Sequence, residues 1–196
     1  MKRVMITKRI VALWVLAFGI FISFPSFAAR EKIAAKRLEP GRWAFSFKVI
    51  GDIPINSPIH NRFKSGLGAG ARAGYGFWEG LSLEGDFQYD RLFREGGPAE
   101  DEGDKNLTSV AAGLRYTFSL LRDDISAYLY GVPGVTFDYT QGNKNNFELS
   151  YALGTGMDFN LTERFSVGPL VQFRQIFEAS DIDLISIGAA FTYLFN

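Results

Sequence analysis

The chain has no cysteine and a single histidine, His60, among its 196 residues. The lack of cysteine excludes thiol catalysis, thiolate metal sites and disulfide bonds. Beyond residue 28 the chain also lacks any window of about 18 apolar residues, so we expect no membrane-spanning helix there. If this part of the chain crosses a membrane, it has to do so with strands.

The whole chain has no net charge, since 21 Lys and Arg balance 21 Asp and Glu, but the first residues are basic. Four basic residues within the first nine, an uncharged run over residues 10–24, and Ser26 and Ala28 follow the order of a secretory signal peptide. The run of 15 residues is shorter than the roughly 20 that a spanning helix needs. We therefore interpret residues 1–28 as a signal peptide that is removed. Its loss would leave 17 cations against 21 anions, a net charge of about −4, which argues against a nucleic-acid partner.

A charged, alanine-rich segment follows the leader and is closed off by Pro40 and Gly41, so we interpret residues 29–41 as a periplasmic tether. From Trp43 onward, apolar and small or polar residues alternate with a period of two in eight successive runs. Residues 43–196 supply about 19 residues for each strand and connection, enough for tilted membrane-spanning strands. The pattern predicts an all-β fold over residues 42–196: a closed eight-stranded antiparallel transmembrane up-and-down β-barrel. In the fifth run, Gly131, Pro133 and Gly134 predict a bulge.

An even number of strands returns the C-terminus to the side of the N-terminus. Because the chain enters from the periplasm, we expect the first connection to be external. The external loops are then residues 53–64, 94–105, 141–146 and 178–182, and the periplasmic turns are residues 79–80, 121–124 and 161–164.

The face opposite the apolar one combines glycine, serine and alanine with charged residues. A narrow eight-stranded lumen explains small residues at these positions, because it has only enough width for side chains to fill it. The aromatic residues that cluster near the ends of the runs are typical of interfacial girdles. We expect the charged side chains to pair across the lumen and plug it; an alternative is a secreted soluble β protein such as a lipocalin-like carrier. The predicted lumen network is Lys48, Arg72, Glu84, Asp86, Asp90, Arg115, Glu148, Asp158 and Arg174.

Two segments carry a resemblance to a known family. The turn from Asn160 to Val167 and the final run from Ile185 to Phe195 resemble the small OmpA/OmpX/OmpW-like outer-membrane β-barrel superfamily, and the likeness covers nearly all of residues 42–196. This resemblance implies a location in the cell outer membrane and a monomer surrounded by outer-membrane lipid and lipopolysaccharide. It also implies recognition of the final run by the barrel-assembly machinery.

Three features offer candidate chemistry. The segment from Gly66 to Ala71 partly matches a dinucleotide-binding fingerprint, with Asp86 about 20 residues on, but Gly74 and Gly76 continue the period of two where that fingerprint needs a helix. His60 lies in the first external loop near Ser57, and the second loop contains five acidic residues: Glu95, Glu100, Asp101, Glu102 and Asp104. We interpret these as lumen-facing glycines, a loop histidine and a solvated acidic loop, and expect no catalytic residue, cofactor or metal site.

The function that we expect is that of a non-enzymatic outer-membrane barrel, with a plugged lumen, that supports the envelope or presents its loops for surface interaction. One alternative is an OmpW-like transporter of small apolar molecules with a lateral opening at Gly131 to Gly134. Another is a lipid A-modifying enzyme that uses His60.

Overall fold

Eight antiparallel strands close into a barrel in the computed structural model of the chain, which confirms the predicted fold. The structure describes residues 40–56, 63–94, 104–120, 125–140, 146–178 and 181–195. Within these residues no helix has the length and apolar character needed to cross a membrane. The strands are β1 (Trp43–Pro54), β2 (Phe63–Trp78), β3 (Leu81–Arg94), β4 (Lys105–Ser119), β5 (Ile125–Thr140), β6 (Asn146–Asn160), β7 (Phe165–Ile176) and β8 (Ile182–Phe195).

The wall is continuous because each strand pairs with its neighbours in sequence and β1 pairs with β8. Following paired residues once around the wall from Trp43 leads back to β1 at Ile53, ten residues further along. In an eight-stranded barrel this stagger corresponds to a strand tilt of about 40°. Closure leaves no sheet edge, whose unpaired backbone groups lipid would not satisfy.

The period of two in the sequence becomes an inner and an outer face. Burial alternates strictly along β3, where Glu84, Asp86 and Gln88 are buried while Leu83 and Phe87 are exposed on the outer surface. Along β1, outward residues such as Trp43 and Phe45 are likewise exposed, while the inward residues are buried. A water-soluble sheet buries its apolar face, so this arrangement is that of a barrel whose solvent is lipid.

The fifth strand is more regular than its sequence suggests. β5 pairs with β6 in one register from Ile125 to Asp138. Its register with β4 is also the same on both sides of a gap of two residue pairs. In this gap Val132 lies opposite Gly113, and Pro133 lies opposite Ala112. Proline has no N–H to donate, so the ladder is interrupted without an inserted residue. The predicted bulge is therefore wrong.

The two ends of the barrel differ in their connections. We call the end that holds the start of β1 and the end of β8 the turn end, because Glu79 and Gly80 join β2 to β3 there. Gly80 has a φ of 73°, which favours glycine at this tight turn. The opposite end, where β1 connects to β2 and β3 to β4, we call the loop end. Several predicted features lie wholly or partly outside the described residues: the signal peptide, the start of the tether, the periplasmic turn at 121–124, much of the external loops, His60 and the acidic loop residues before Asp104.

Candidate functional site: the lumen of the barrel

Eight of the nine charged residues predicted to face the lumen are buried on the inner face of the barrel. The ninth, Glu148 on β6, is partly exposed, and among the described residues no ion pair joins it. The buried eight are Lys48, Arg72, Glu84, Asp86, Asp90, Arg115, Asp158 and Arg174.

Three neighbouring strands supply the centre of the network. Lys48 Nζ on β1 donates to the two carboxylate oxygens of Asp86 on β3, at 2.8 and 2.9 Å. Arg72 Nε on β2 donates to Asp86 Oδ2 at 2.9 Å, and the same nitrogen lies 3.7 Å from Glu84 Oε2. One carboxylate thus faces two cations, and this pairing offsets the cost of burying all three charges.

A second ion pair spans the full width of the lumen. Arg174 on β7 and Asp90 on β3 lie on opposite sides of the eight-stranded ring, and Arg174 Nη2 donates to Asp90 Oδ2 at 2.5 Å. Arg174 Nη1 also donates to Ser109 Oγ at 3.0 Å. Two glutamines connect this pair to the centre: Gln88 Nε2 donates to Asp90 at 2.8 Å and Gln172 Nε2 donates to Gln88 at 3.3 Å. Gln172 in turn accepts a hydrogen bond from Lys48 Nζ at 3.4 Å. The polar side chains therefore form one connected network.

Two inward tyrosines on β5, which our sequence analysis did not assign to the site, complete its other side. Arg72 stacks over the Tyr130 ring at 4.0 Å from its centre, and Arg115 stacks over Tyr128 at 3.9 Å. Such stacking stabilises a buried guanidinium. The Tyr130 hydroxyl donates to Gln172 at 2.7 Å.

Glycines on β6 make room for these rings. A Cβ at Gly154 would overlap the Tyr130 ring, and one at Gly156 would overlap Tyr128. The glycines of β2 act similarly, since a Cβ at Gly70 would lie 2.7 Å from Lys48 Cε. Because β2 continues as a strand from Phe63 to Trp78, no helix follows the glycine segment, and this structure does not support the dinucleotide-binding reading.

Toward the turn end, a further pair fills the lumen. Arg115 Nη2 on β4 donates to Asp158 Oδ2 on β6 at 2.5 Å. On the opposite wall the hydroxyls of Ser46 and Thr192 lie 2.8 Å apart and share a hydrogen bond. All four side chains are buried, so the polar packing continues toward this end.

Two buried acids are absent from the predicted network, Asp52 and, at the loop end, Asp138. Asp52, 1% exposed, accepts a hydrogen bond from Ser186 Oγ at 2.5 Å. Our sequence analysis placed the first loop from Ile53 and did not include Asp52 in the lumen network. The extension of β1 to Pro54 brings Asp52 onto the inner face.

The inner face is not wholly small or charged, which corrects the expectation that bulky apolar side chains point only outward. At the loop end, residues from five strands form a buried apolar cluster inside the barrel, which we call the apolar layer. Apolar residues occupy both faces of the strands there, as in Leu92 and Phe93, so no alternation marks the inward ones. The apolar layer consists of Phe63, Leu92, Leu107, Ile176, Ile182 and Leu184.

An ionic cluster lies at the loop end, one inward position beyond the apolar layer on β4 and β7. Lys105 Nζ is 2.6 Å from Asp138 Oδ2 and donates to the two oxygens of Glu178 at 3.1 and 3.2 Å. Burial raises the pKa of Glu178, while Lys105 opposes that shift.

The outside of the loop end carries one further pair. Arg91 Nε donates to Asp104 Oδ2 at 2.8 Å, and the Arg91 side chain is 56% exposed. In the part of the chain that the structure describes, no group of three or more His, Asp or Glu side chains could hold a metal ion.

The sequence of the chain matches the model of one protein family. The model of the outer membrane protein beta-barrel domain family matches residues 18–195. No curated protein sequence gives a significant match.

Solved structures with the same fold include three small barrels. Neisserial surface protein A has 15% identity and a TM-score of 0.61, with 78% of this chain and 98% of that chain covered. OprG from Pseudomonas aeruginosa has 13% identity and a TM-score of 0.57, with 82% and 99% covered. Ail, the attachment invasion locus protein of Yersinia pestis, has 18% identity and a TM-score of 0.52, with 79% and 99% covered. At these identities the likeness shows the fold alone.

Proposed function

This chain belongs to the outer membrane protein β-barrel domain family, and from that premise we propose that it is a non-enzymatic outer-membrane barrel with a sealed lumen. Its role is to support the envelope or to present its loops for surface interaction. The outer-membrane location follows from the family and agrees with the lipophilic outer face.

The observation that carries the sealed lumen is the burial of inward side chains along the length of the barrel. Thr192 near the turn end is 5% exposed, Gln172 in the middle 2% and Leu107 near the loop end 0%. Cross-lumen ion pairs fill the middle, and the apolar layer fills the loop end. A continuous water path would expose some of these groups, so their burial favours a plug over a pore.

The surroundings of the barrel are part of the proposal. The loop end faces outward and the turn end faces the periplasm, because the longer connections of such barrels are extracellular. Outer-membrane lipid and lipopolysaccharide cover the apolar outer face, and the barrel-assembly machinery inserts the chain through its final strand. The protein acts as a monomer without a nucleic-acid partner.

The two alternatives have less support. A lateral opening at Gly131 to Gly134 would need the wall to part, yet β5 keeps one register with β6 throughout this segment. The alternative of an enzyme that modifies lipid A rests on His60, which lies outside the described residues. Because we propose a barrel without enzymatic activity, lipid A from cells that carry His60→Ala should have the same mass spectrum as lipid A from cells with the unchanged protein.

Recording from planar bilayers tests the sealed lumen. We expect purified protein, with insertion verified by protease protection of the barrel, to give no steady conductance above the bare membrane. The Arg91→Gln variant, which changes only the rim, should behave identically. Steady channels from the unchanged protein would overturn the proposal.

A further inference from the structure

The ion pair between Lys105 and Glu178 crosses the loop end of the lumen. Lys105 begins β4 and Glu178 follows β7, and these strands are three positions apart around the ring of eight. Their charged groups nevertheless meet at 3.1 Å, with side chains 8% and 16% exposed. This contact joins two non-adjacent strands of the barrel wall at the loop end.

The apolar layer lies directly beneath this pair. Lys105 is two residues from Leu107, and Glu178 is two residues from Ile176, so each charged residue is one inward position beyond a member of the layer. The six residues of the layer are at most 8% exposed. Along the lumen from the loop end, the ion pair therefore comes before the apolar layer.

Lys105 can lose Glu178 without becoming an isolated buried charge. Its Nζ is also 2.6 Å from Asp138 Oδ2, so the ammonium stays paired when Glu178 becomes neutral. The cost of breaking the pair is then much smaller than the cost of orphaning a buried cation. This second partner makes the cross-lumen pair releasable.

We propose that the Lys105–Glu178 pair is a latch that keeps the apolar layer closed to water, and that loss of the Glu178 charge releases it. The proposal rests on the sealed lumen proposed above and identifies the contact that regulates its outer seal. Below the layer, the Arg174–Asp90 pair and the hydrogen bond between Asp52 and Ser186 stay intact, so release opens the outer seal alone.

Proton binding is the natural way to release such a latch. The groups that act electrostatically on Glu178 are Lys105 from β4, Asp138 from β5 and Glu148 from β6. Burial and the two carboxylates raise the pKa of Glu178, and Lys105 lowers it. Glu178 therefore takes up a proton at a higher pH than an ordinary glutamate, and the latch weakens as the pH falls.

Single-cysteine reporters test the latch cleanly, because the chain has no cysteine of its own. Ile182→Cys places a thiol in the apolar layer, and Leu170→Cys places one below it; the native side chains are 0% and 1% exposed, and both are apolar. The reporters are labelled from the loop end with a charged maleimide in vesicles that hold the folded barrel. Folding of each variant is checked by its heat-modifiable migration in gels.

We expect Ile182→Cys to label slowly in the otherwise unchanged protein. When Glu178→Gln is added, labelling should be about tenfold faster, because the free energy of one charge-assisted hydrogen bond corresponds to a factor of that size in the opening equilibrium. The matched control Arg91→Gln, which breaks an ion pair on the outer surface, should leave the rate unchanged. Leu170→Cys should stay unlabelled in every background.

The outcomes separate the two proposals. Labelling of Leu170→Cys in the otherwise unchanged protein would refute the sealed lumen. Equal labelling of Ile182→Cys with and without Glu178→Gln, while Leu170→Cys stays unlabelled, would refute the latch and leave the sealed lumen standing.

Discussion

Replacing Asp90 by Asn removes the negative partner of the Arg174 guanidinium at nearly constant volume. Both side chains are at most 2% exposed, and their charged groups lie 2.5 Å apart across the lumen. Breaking a buried pair by removing one partner costs about 3 to 5 kcal/mol, because the remaining charge is left uncompensated. Asp52 also interacts electrostatically with Arg174, so we expect the lower end, about 3 kcal/mol, which is roughly a 150-fold change in the unfolding equilibrium.

The measurement is urea unfolding of the barrel in lipid vesicles, followed by tryptophan fluorescence. Trp43 and Trp78 lie on the outer face at the turn end and report on the loss of the lipid environment. Arg91→Gln is the matched control, because it breaks a pair with similar distances whose arginine is 56% exposed. Exposed pairs contribute at most about 1 kcal/mol.

The reasoning fails if Asp90→Asn costs no more than Arg91→Gln. That result would mean that water solvates Arg174 and that the lumen is wet at its middle. A second variant, in which Asp90→Leu and Arg174→Leu are combined, should recover part of the loss, since apolar residues can replace a buried pair at little cost.

Two further predictions follow from the packing and from the loop-end latch. Gly154→Val should destabilise the barrel by about 1 to 3 kcal/mol, because the valine side chain would overlap Tyr130, which Arg72 and Gln172 hold in place. The control is Gly85→Ala, where a Cβ has only ordinary contacts, and it should change the urea midpoint of unfolding little. Equal effects of the two substitutions would contradict the tight fit at Gly154. Labelling of Ile182→Cys, normalised to the urea-denatured protein at each pH, should rise as the pH falls through the raised pKa of Glu178, and a pH-independent rate would contradict release by proton uptake.

The fold was predictable because lipid imposes a strict rule on each strand. In β3 every second residue from Ser82 to Asp90 is polar or charged, and the intervening ones are mostly apolar, so the sequence alone indicates the two faces. The count of strands follows from the same alternation. The regular course of β5 was not predictable, because Pro133 and its glycine neighbours favour a bulge locally while pairing with β6 keeps the register.

The partners within the lumen were less predictable than its inward residues. That Arg174 meets Asp90 depends on the stagger of the whole wall, which no single strand contains. Tyr128 and Tyr130 were not assigned to the site because apolar and aromatic residues occupy both faces of β5. The apolar layer was missed for the same reason, since Ile176 is followed by Phe177 and Leu184 by Ile185.

Spin labels placed one at a time at residues 81–94 give the most direct test of the central claim, that the lumen is sealed while the outer face lies in lipid. In vesicles, we expect labels at Leu83 and Phe87 to collide readily with oxygen, which dissolves in hydrocarbon. Labels at Asp86 and Gln88 should be inaccessible both to oxygen and to a water-soluble nickel complex. High accessibility of the inward positions to the nickel complex, with the outward pattern unchanged, would contradict the account.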